Sequence, residues 1–160
     1  MSEQDGFGRS LKSFFFAGLL AVIAASCGGI TLGQGTQNDP VPTGTIVSQG
    51  SLTGVNGRAV SGTVAVYQST NSDGTCQFVV RLQNLSAPND SGLQIIPVVN
   101  GAQSTSPSFY VLRAPTGNEN YIFTAPSNSC SATFAQVEIS NPALAPPSAQ
   151  NYGIATLTPL

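Results

Sequence analysis

Histidine and tryptophan are absent from the 160 residues, and the single methionine is the first residue. Lysine occurs only as Lys12. From Cys27 onward the cations are Arg58, Arg81 and Arg113, set against Asp39, Asp73, Asp90, Glu119 and Glu138, so three minus five leaves a charge of −2. Each absence removes a class of function. Without imidazole no Ser-His-Asp or Cys-His arrangement is possible, and the commonest general base and metal ligand is missing. Without a basic cluster there is no electrostatic footprint for nucleic acid. No Asp-x-Asp-x-Asp calcium loop is present, and no glycine-rich phosphate loop lies between a strand and a helix. The five acids are scattered, whereas a glycosidase needs two within about 10 Å. Asp90 and Glu119 are the pair a fold would have to bring together; solvated surface acids are the plainer reading. These absences lead us to expect no catalytic residues, no metal and no cofactor.

What is present begins at the N-terminus. Arg9 and Lys12 precede the apolar run Phe14–Ala25, and small residues lead to Cys27-Gly28-Gly29. Charged region, apolar region and small-residue site in that order make a secretory signal. The segment Ile23-Ala24-Ala25-Ser26-Cys27 resembles the lipobox of a bacterial lipoprotein signal, with Ala24 where leucine is usual. The resemblance implies cleavage before Cys27 and a lipid on its thiol. An ordinary cleaved signal is the alternative. A permanent span fits poorly, because twelve helical residues reach only about 18 Å and a bilayer core is about 30 Å thick. We therefore take 1–26 as signal peptide and expect an exported protein of a bacterial envelope, held at the membrane through Cys27. Gly28 rather than Asp after the cysteine resembles the enteric sorting pattern for the outer membrane.

With Cys27 lipidated, Cys76 and Cys130 remain as an even pair in an oxidising compartment, where a disulfide persists. Two free thiols, or one reactive thiol, are the alternatives. A reactive thiol needs a neighbouring cation or helix N-terminus, and neither Asp73-Gly74-Thr75-Cys76 nor Ser127-Asn128-Ser129-Cys130 offers one.

Residues 27–44 are rich in Gly, Thr, Gln, Asn and Pro and read as a flexible tether. The domain is expected over 45–160. There, short runs alternate at period two between turn clusters. In Gln77–Leu85, Phe78, Val80 and Leu82 alternate with Gln77, Arg81 and Gln83. Further strands are expected at Ile46–Leu52, Ser61–Gln68, Leu93–Val99, Ser108–Arg113, Asn120–Ala125, Ala132–Ser140 and Tyr152–Leu157. Pro97 marks an edge or bulge. Turns are expected at Asn71–Gly74, Pro88–Gly92 and Pro115–Asn118. About eight short strands without a helical period predict an all-β fold, an antiparallel sandwich or barrel. Tyr67, Tyr110, Tyr121 and Tyr152 would make a carbohydrate platform if they shared a face, but packing with hydroxyls at the rim is the plainer reading.

Several segments resemble the DM-thirteen domain family of small extracellular β-domains found beside electron-transfer domains. They are Gly50-Ser51-Leu52, Val60-Ser61-Gly62-Thr63-Val64, Val79–Leu85, Gly92-Leu93-Gln94-Ile95, Gly117-Asn118-Glu119-Asn120-Tyr121, Val137-Glu138-Ile139 and Tyr152–Leu157. The resemblance spans about residues 50–157 and implies a β-domain with a redox role. The family's cysteine after Val-x-Ile would fall near Asn141, where none stands, and its Gly-Pro-Asp-Leu acid is missing at Ser91-Gly92-Leu93. Those departures take away the residue on which the redox role rests. The expected function is therefore a non-catalytic binding or accessory protein of the envelope, contacting an envelope protein or surface glycan but no nucleic acid. A redox accessory domain is the alternative, and a hydrolase relying on carboxylates the third.

Overall fold

The computed structural model describes residues 35–103, 110–124, 130–144 and 150–160. The expected signal segment 1–26, the lipidation site Cys27 and the tether up to residue 34 lie outside them. The described residues are all-β, with no helix. Eleven strands are formed: β1 (Thr36–Asn38), β2 (Thr45–Gly54), β3 (Ser61–Thr70), β4 (Cys76–Ser86), β5 (Gln94–Val99), β6 (Ala102–Gln103), β7 (Tyr110–Val111), β8 (Thr116–Thr124), β9 (Phe134–Ser140), β10 (Asn151–Thr156) and β11 (Thr158–Pro159).

Period-two patterning sets the main ladders. In β4, Cys76, Phe78, Val80 and Leu82 face the core, and in β3 Val64 and Val66 do. The antiparallel register Val64↔Leu82, Val66↔Val80 and Gln68↔Phe78 puts these on one face. Between the two strands Gly74 N–H donates to the Asn71 carbonyl at 3.0 Å, closing the expected turn.

The strands form one open sheet in the order β1-β8-β4-β3-β2-β10-β9-β5-β6, with β11 beside β2 and β7 beside β5. One apolar cluster draws on both ends of that order: Val80, Leu82, Tyr121 and Phe123 from β4 and β8, Ile95, Val137 and Ile139 from β5 and β9. The sheet therefore folds back over itself into a sandwich-like, nearly closed shape. Outside it, Ala65, Tyr67 and Val79 make a second, smaller apolar group with Ile46.

Three expectations change. Thr36–Asn38, expected within the tether, pair with Thr116–Asn118, so strand structure begins before Thr45. That pairing is parallel, so the sheet is mixed, not purely antiparallel. The expected turn Pro115–Asn118 instead supplies the first residues of β8, flanked by β1 and β4. Its glycine reflects close approach rather than a turn: at Gly117 (φ +112°) a Cβ would lie 1.9 Å from the Gln37 carbonyl oxygen. Pro97 sits where the neighbour of β5 is interrupted, since β7 pairs with Gln94 and Ile95 and β6 with Val98 and Val99. A residue without an N–H costs no ladder bond there.

Candidate functional site

Four charged side chains, Asp39, Arg81, Arg113 and Glu119, gather at the seam where the folded sheet nearly meets itself. β7 leaves β5 and leads through Leu112–Pro115 into β8, yet no ladder joins β7 to β8. Side chains bridge the gap. The Tyr110 hydroxyl donates to the Ile122 carbonyl, and Arg113 Nη2 donates to the Asn120 carbonyl at 3.4 Å. The Asp39 carboxylate accepts the Asn120 N–H at 2.8 Å. Free edge groups of β8 are thus occupied, the usual protection against unwanted strand pairing.

Glu119 is the centre of the seam and is fully buried. Its Oε1 accepts the Ala114 N–H at 2.7 Å and its Oε2 the Arg113 N–H at 3.1 Å. The Tyr121 hydroxyl donates to the same Oε2, and Arg113 Nε lies 3.8 Å away as the counter-charge. Burial, then the charge and hydrogen bond of Glu119, hold the Tyr121 phenol far above its ordinary pKa. Arg113 also pairs with Asp39. Burial raises the Asp39 pKa, but the bonds from Arg113, the Asn120 N–H and Gln37 outweigh it and leave the carboxyl below its usual value.

Arg81 carries the network to the outer face. It is 5% exposed. Its Nη1 donates to the carbonyls of Asp39 (3.1 Å) and Pro40 (2.8 Å) and to Asn120 Oδ1 (2.8 Å), while its Nε has no partner. Nothing in the local sequence announced this role. The arginine reads as one polar position of an alternating strand, and its acceptors lie about forty residues away.

At another place Asp90 accepts the Tyr152 hydroxyl at 2.7 Å and sits 3.8 Å from Arg58 Nη1. The Arg58 guanidinium stacks 4.3 Å from the Tyr152 ring centroid. Asp90 and Glu119 therefore belong to separate networks. The four tyrosines do not form one platform: Tyr67 packs in the outer group, Tyr110 and Tyr121 meet edge-on at 5.6 Å, and Tyr152 lies with Arg58. Among the described residues no three Cys, Asp or Glu side chains converge.

Cys76 and Cys130 are joined in a disulfide with Cα atoms 5.2 Å apart. It ties the start of β4 to the approach to β9. Cys76 is buried and Cys130 exposed.

One surface concavity is an open groove of about 580 Å³. Its lining residues include Gln49, Ser51, Thr63, Gln83, Thr156 and Thr158 together with the exposed Leu160, and none of the lining side chains is charged. No protein-family model, curated protein or solved structure matches this chain.

Proposed function

We propose that this chain is an exported, lipid-anchored, non-catalytic binding or accessory domain of a bacterial envelope, held at the membrane through Cys27. The observation that carries this reading is the use made of charge. Eight charged side chains follow Cys27, and each is engaged in holding backbone or another side chain. Arg81, Arg113, Asp39 and Glu119 fasten the seam; Arg58 and Asp90 clasp Tyr152. Glu138 accepts from Gln103 and Gln136, and Asp73 accepts from Thr75. Acid–base chemistry needs a carboxylate free to meet substrate. The uncharged amide and hydroxyl groove instead suits recognition of a neutral partner, an envelope protein surface or a glycan.

Labelled fatty acid should enter the wild-type protein and not a Cys27→Ala variant, and capture from native membranes should lose its partner when Thr63→Arg blocks the groove. Equal labelling of Cys27→Ala would refute the anchor. Unchanged capture by a folded Thr63→Arg protein would refute the groove.

The redox reading implied by the family resemblance has one supporting observation, that the exposed Cys130 offers a thiol a route to the bridge. A reduction potential below about −300 mV would assign the bridge to structure alone.

A further inference from the structure

Among the described residues three large hydrophobic side chains stand exposed: Val41 (65%), Ile122 (53%) and Leu160 (71%). All three lie on one face. In β8 Tyr121 and Phe123 belong to the core, so Ile122 between them points outward. It opens a straight cross-strand row, Ile122↔Val79↔Tyr67↔Ile46 on β8, β4, β3 and β2, whose last three members form the outer apolar group. Beyond Ile46 the row ends at Leu160, whose N–H donates to the Val47 carbonyl at 3.1 Å. Leu160 shares the groove lining with the outward-facing Ala65, which puts both on the same side. The segment from Pro40 to Gly44 passes over this face. The Pro40 carbonyl accepts from Arg81 and Asn120 beside the row, and Thr45 pairs with Gln68 next to Tyr67. Val41 follows Pro40 and so lies on this face between the strands of Ile122 and Leu160.

The row carries no charge. Arg81 beside it is 5% exposed and turned onto carbonyls, and Arg113 at the seam edge is paired with Asp39. Exposed apolar side chains aligned on one face, rather than scattered singly, mark an interaction site. Three aliphatic side chains fall far below the roughly 800 Å² per partner of a stable protein interface. A bilayer asks for less, because side chains that enter it leave water altogether and a tether supplies the local concentration. The tether also sets the geometry. β1 lies against β8, the strand that carries Ile122. Nine steps from Cys27 to Thr36 span at most about 30–32 Å. Ile122 stands six residues beyond Thr116, the partner of Thr36, or about 20 Å at roughly 3.3 Å per residue. A lipid on Cys27 therefore brings the row within reach of the membrane surface.

We propose that Ile122, Val41 and Leu160 dock this domain onto the bilayer that holds its lipid, entering the boundary between headgroups and acyl chains. The proposal rests on the lipid-anchor reading above. Docked so, the domain presents its groove beside the headgroups, since Gln49, Ser51 and Thr63 continue the same face along β2 and β3.

The chain has no tryptophan, so an introduced one reports alone. Full-length protein carrying Ile122→Trp is reconstituted in neutral phosphatidylcholine vesicles that contain lipid brominated on the upper acyl chain. The control carries Ala135→Trp, exposed on β9 in the other half of the folded sheet. Emission at 122 should fall by more than half and shift to the blue, while emission at 135 stays unchanged. Val41→Asp with Leu160→Asp, both at exposed positions, should abolish the quenching at 122 while the protein still floats with the vesicles. Equal quenching at 122 and 135, none at 122 in floating protein, or quenching that survives the two aspartates overturns the proposal. If 122 stays unquenched and crosslinking joins the proteins in the vesicle, the row belongs to a second copy and the proposal falls. Protein that does not float has lost the anchor rather than the row. The full chain is then coupled through the Cys27 thiol to maleimide-bearing lipid: quenching at 122 there keeps the docking, and its absence removes it.

Discussion

Replacing Glu119 by alanine should unfold much of what this domain has to spare. The carboxylate is fully buried and accepts from the Arg113 and Ala114 N–H groups and from the Tyr121 hydroxyl. Truncation leaves the two N–H donors without an acceptor, each costing about 1–3 kcal/mol if it stays dry, and leaves the Tyr121 hydroxyl only the Val111 carbonyl at 3.5 Å. It also strips Arg113 Nε of a charge 3.8 Å away. Water entering the vacated space satisfies part of this, so the expected loss is that of breaking a buried pair, roughly 3–5 kcal/mol. A domain of this size has about 5–15 kcal/mol in total. Tyr121→Phe removes only one donor from a carboxylate that keeps two others, and should cost about 1 kcal/mol. Because both changes touch one network, the double variant should lose less than the sum, with a coupling of roughly 0.5–3 kcal/mol. Urea unfolding followed by circular dichroism and tyrosine fluorescence measures all three, the chain having no tryptophan. A Glu119→Ala loss below about 1 kcal/mol, or strict additivity, would refute the claim that this carboxylate holds the seam.

Reducing the Cys76–Cys130 bridge frees a 54-residue separation, which the chain-entropy relation values at about 4 kcal/mol; Cys130→Ser should melt about 15 °C lower, and Cys76→Ala lower still because that position is buried. Tyr110, Tyr121 and Tyr152 all have raised pKa values, with burial the leading cause. Their folded forms hold protons that the unfolded chain releases near pH 10, so stability should fall as pH rises past 10 and their phenolate absorbance should appear together with unfolding; smooth titration of these three tyrosines in folded protein would contradict this. Asp39 is shifted the other way, so its contribution is present above the ordinary carboxyl pKa of 3.8 and is lost as pH falls through the lowered folded value. Acid, or Asp39→Asn, should speed hydrogen exchange at the Asn120 amide before the core opens; unchanged exchange there would count against the seam. Gly117→Ala places a methyl against the Gln37 carbonyl at a positive φ and should detach β1, at a cost of at least about 1 kcal/mol, visible as faster exchange at Asp39.

Much of the fold was legible because it is written in short-range alternation. Phe78, Val80 and Leu82 against Gln77, Arg81 and Gln83 predicted β4, and the structure places the first set in the core. The paired cysteines were legible from parity once Cys27 was assigned to the lipid. Two kinds of feature were not legible from local pattern. The short, uncharged terminal strands Ile46–Leu52 and Tyr152–Leu157 could stand as exposed edges or, on the plainer reading, cover each other; β2 and β10 are neighbours within the sheet, with Leu52 opposite Ala155. Leu157 is buried in the core. Pairing order has no local signature, since any two alternating strands present compatible ladders. Likewise β1 was hidden inside a polar, proline-bearing stretch that reads as a tether.

The sequence by itself determined the all-β class, the approximate strands, the pairing of two cysteines and the exclusion of imidazole chemistry, because composition and period-two alternation are properties of neighbouring residues. Only the tertiary structure decided that the sheet folds back on itself and that Glu119 becomes its buried keystone. It alone placed Asp39 and the carbonyls beside it, outside the expected domain, on Arg113 and Arg81. Those contacts join residues about forty to eighty apart. Their register depends on how the strands are ordered, and that order follows from the shared core which both halves of the sheet must bury.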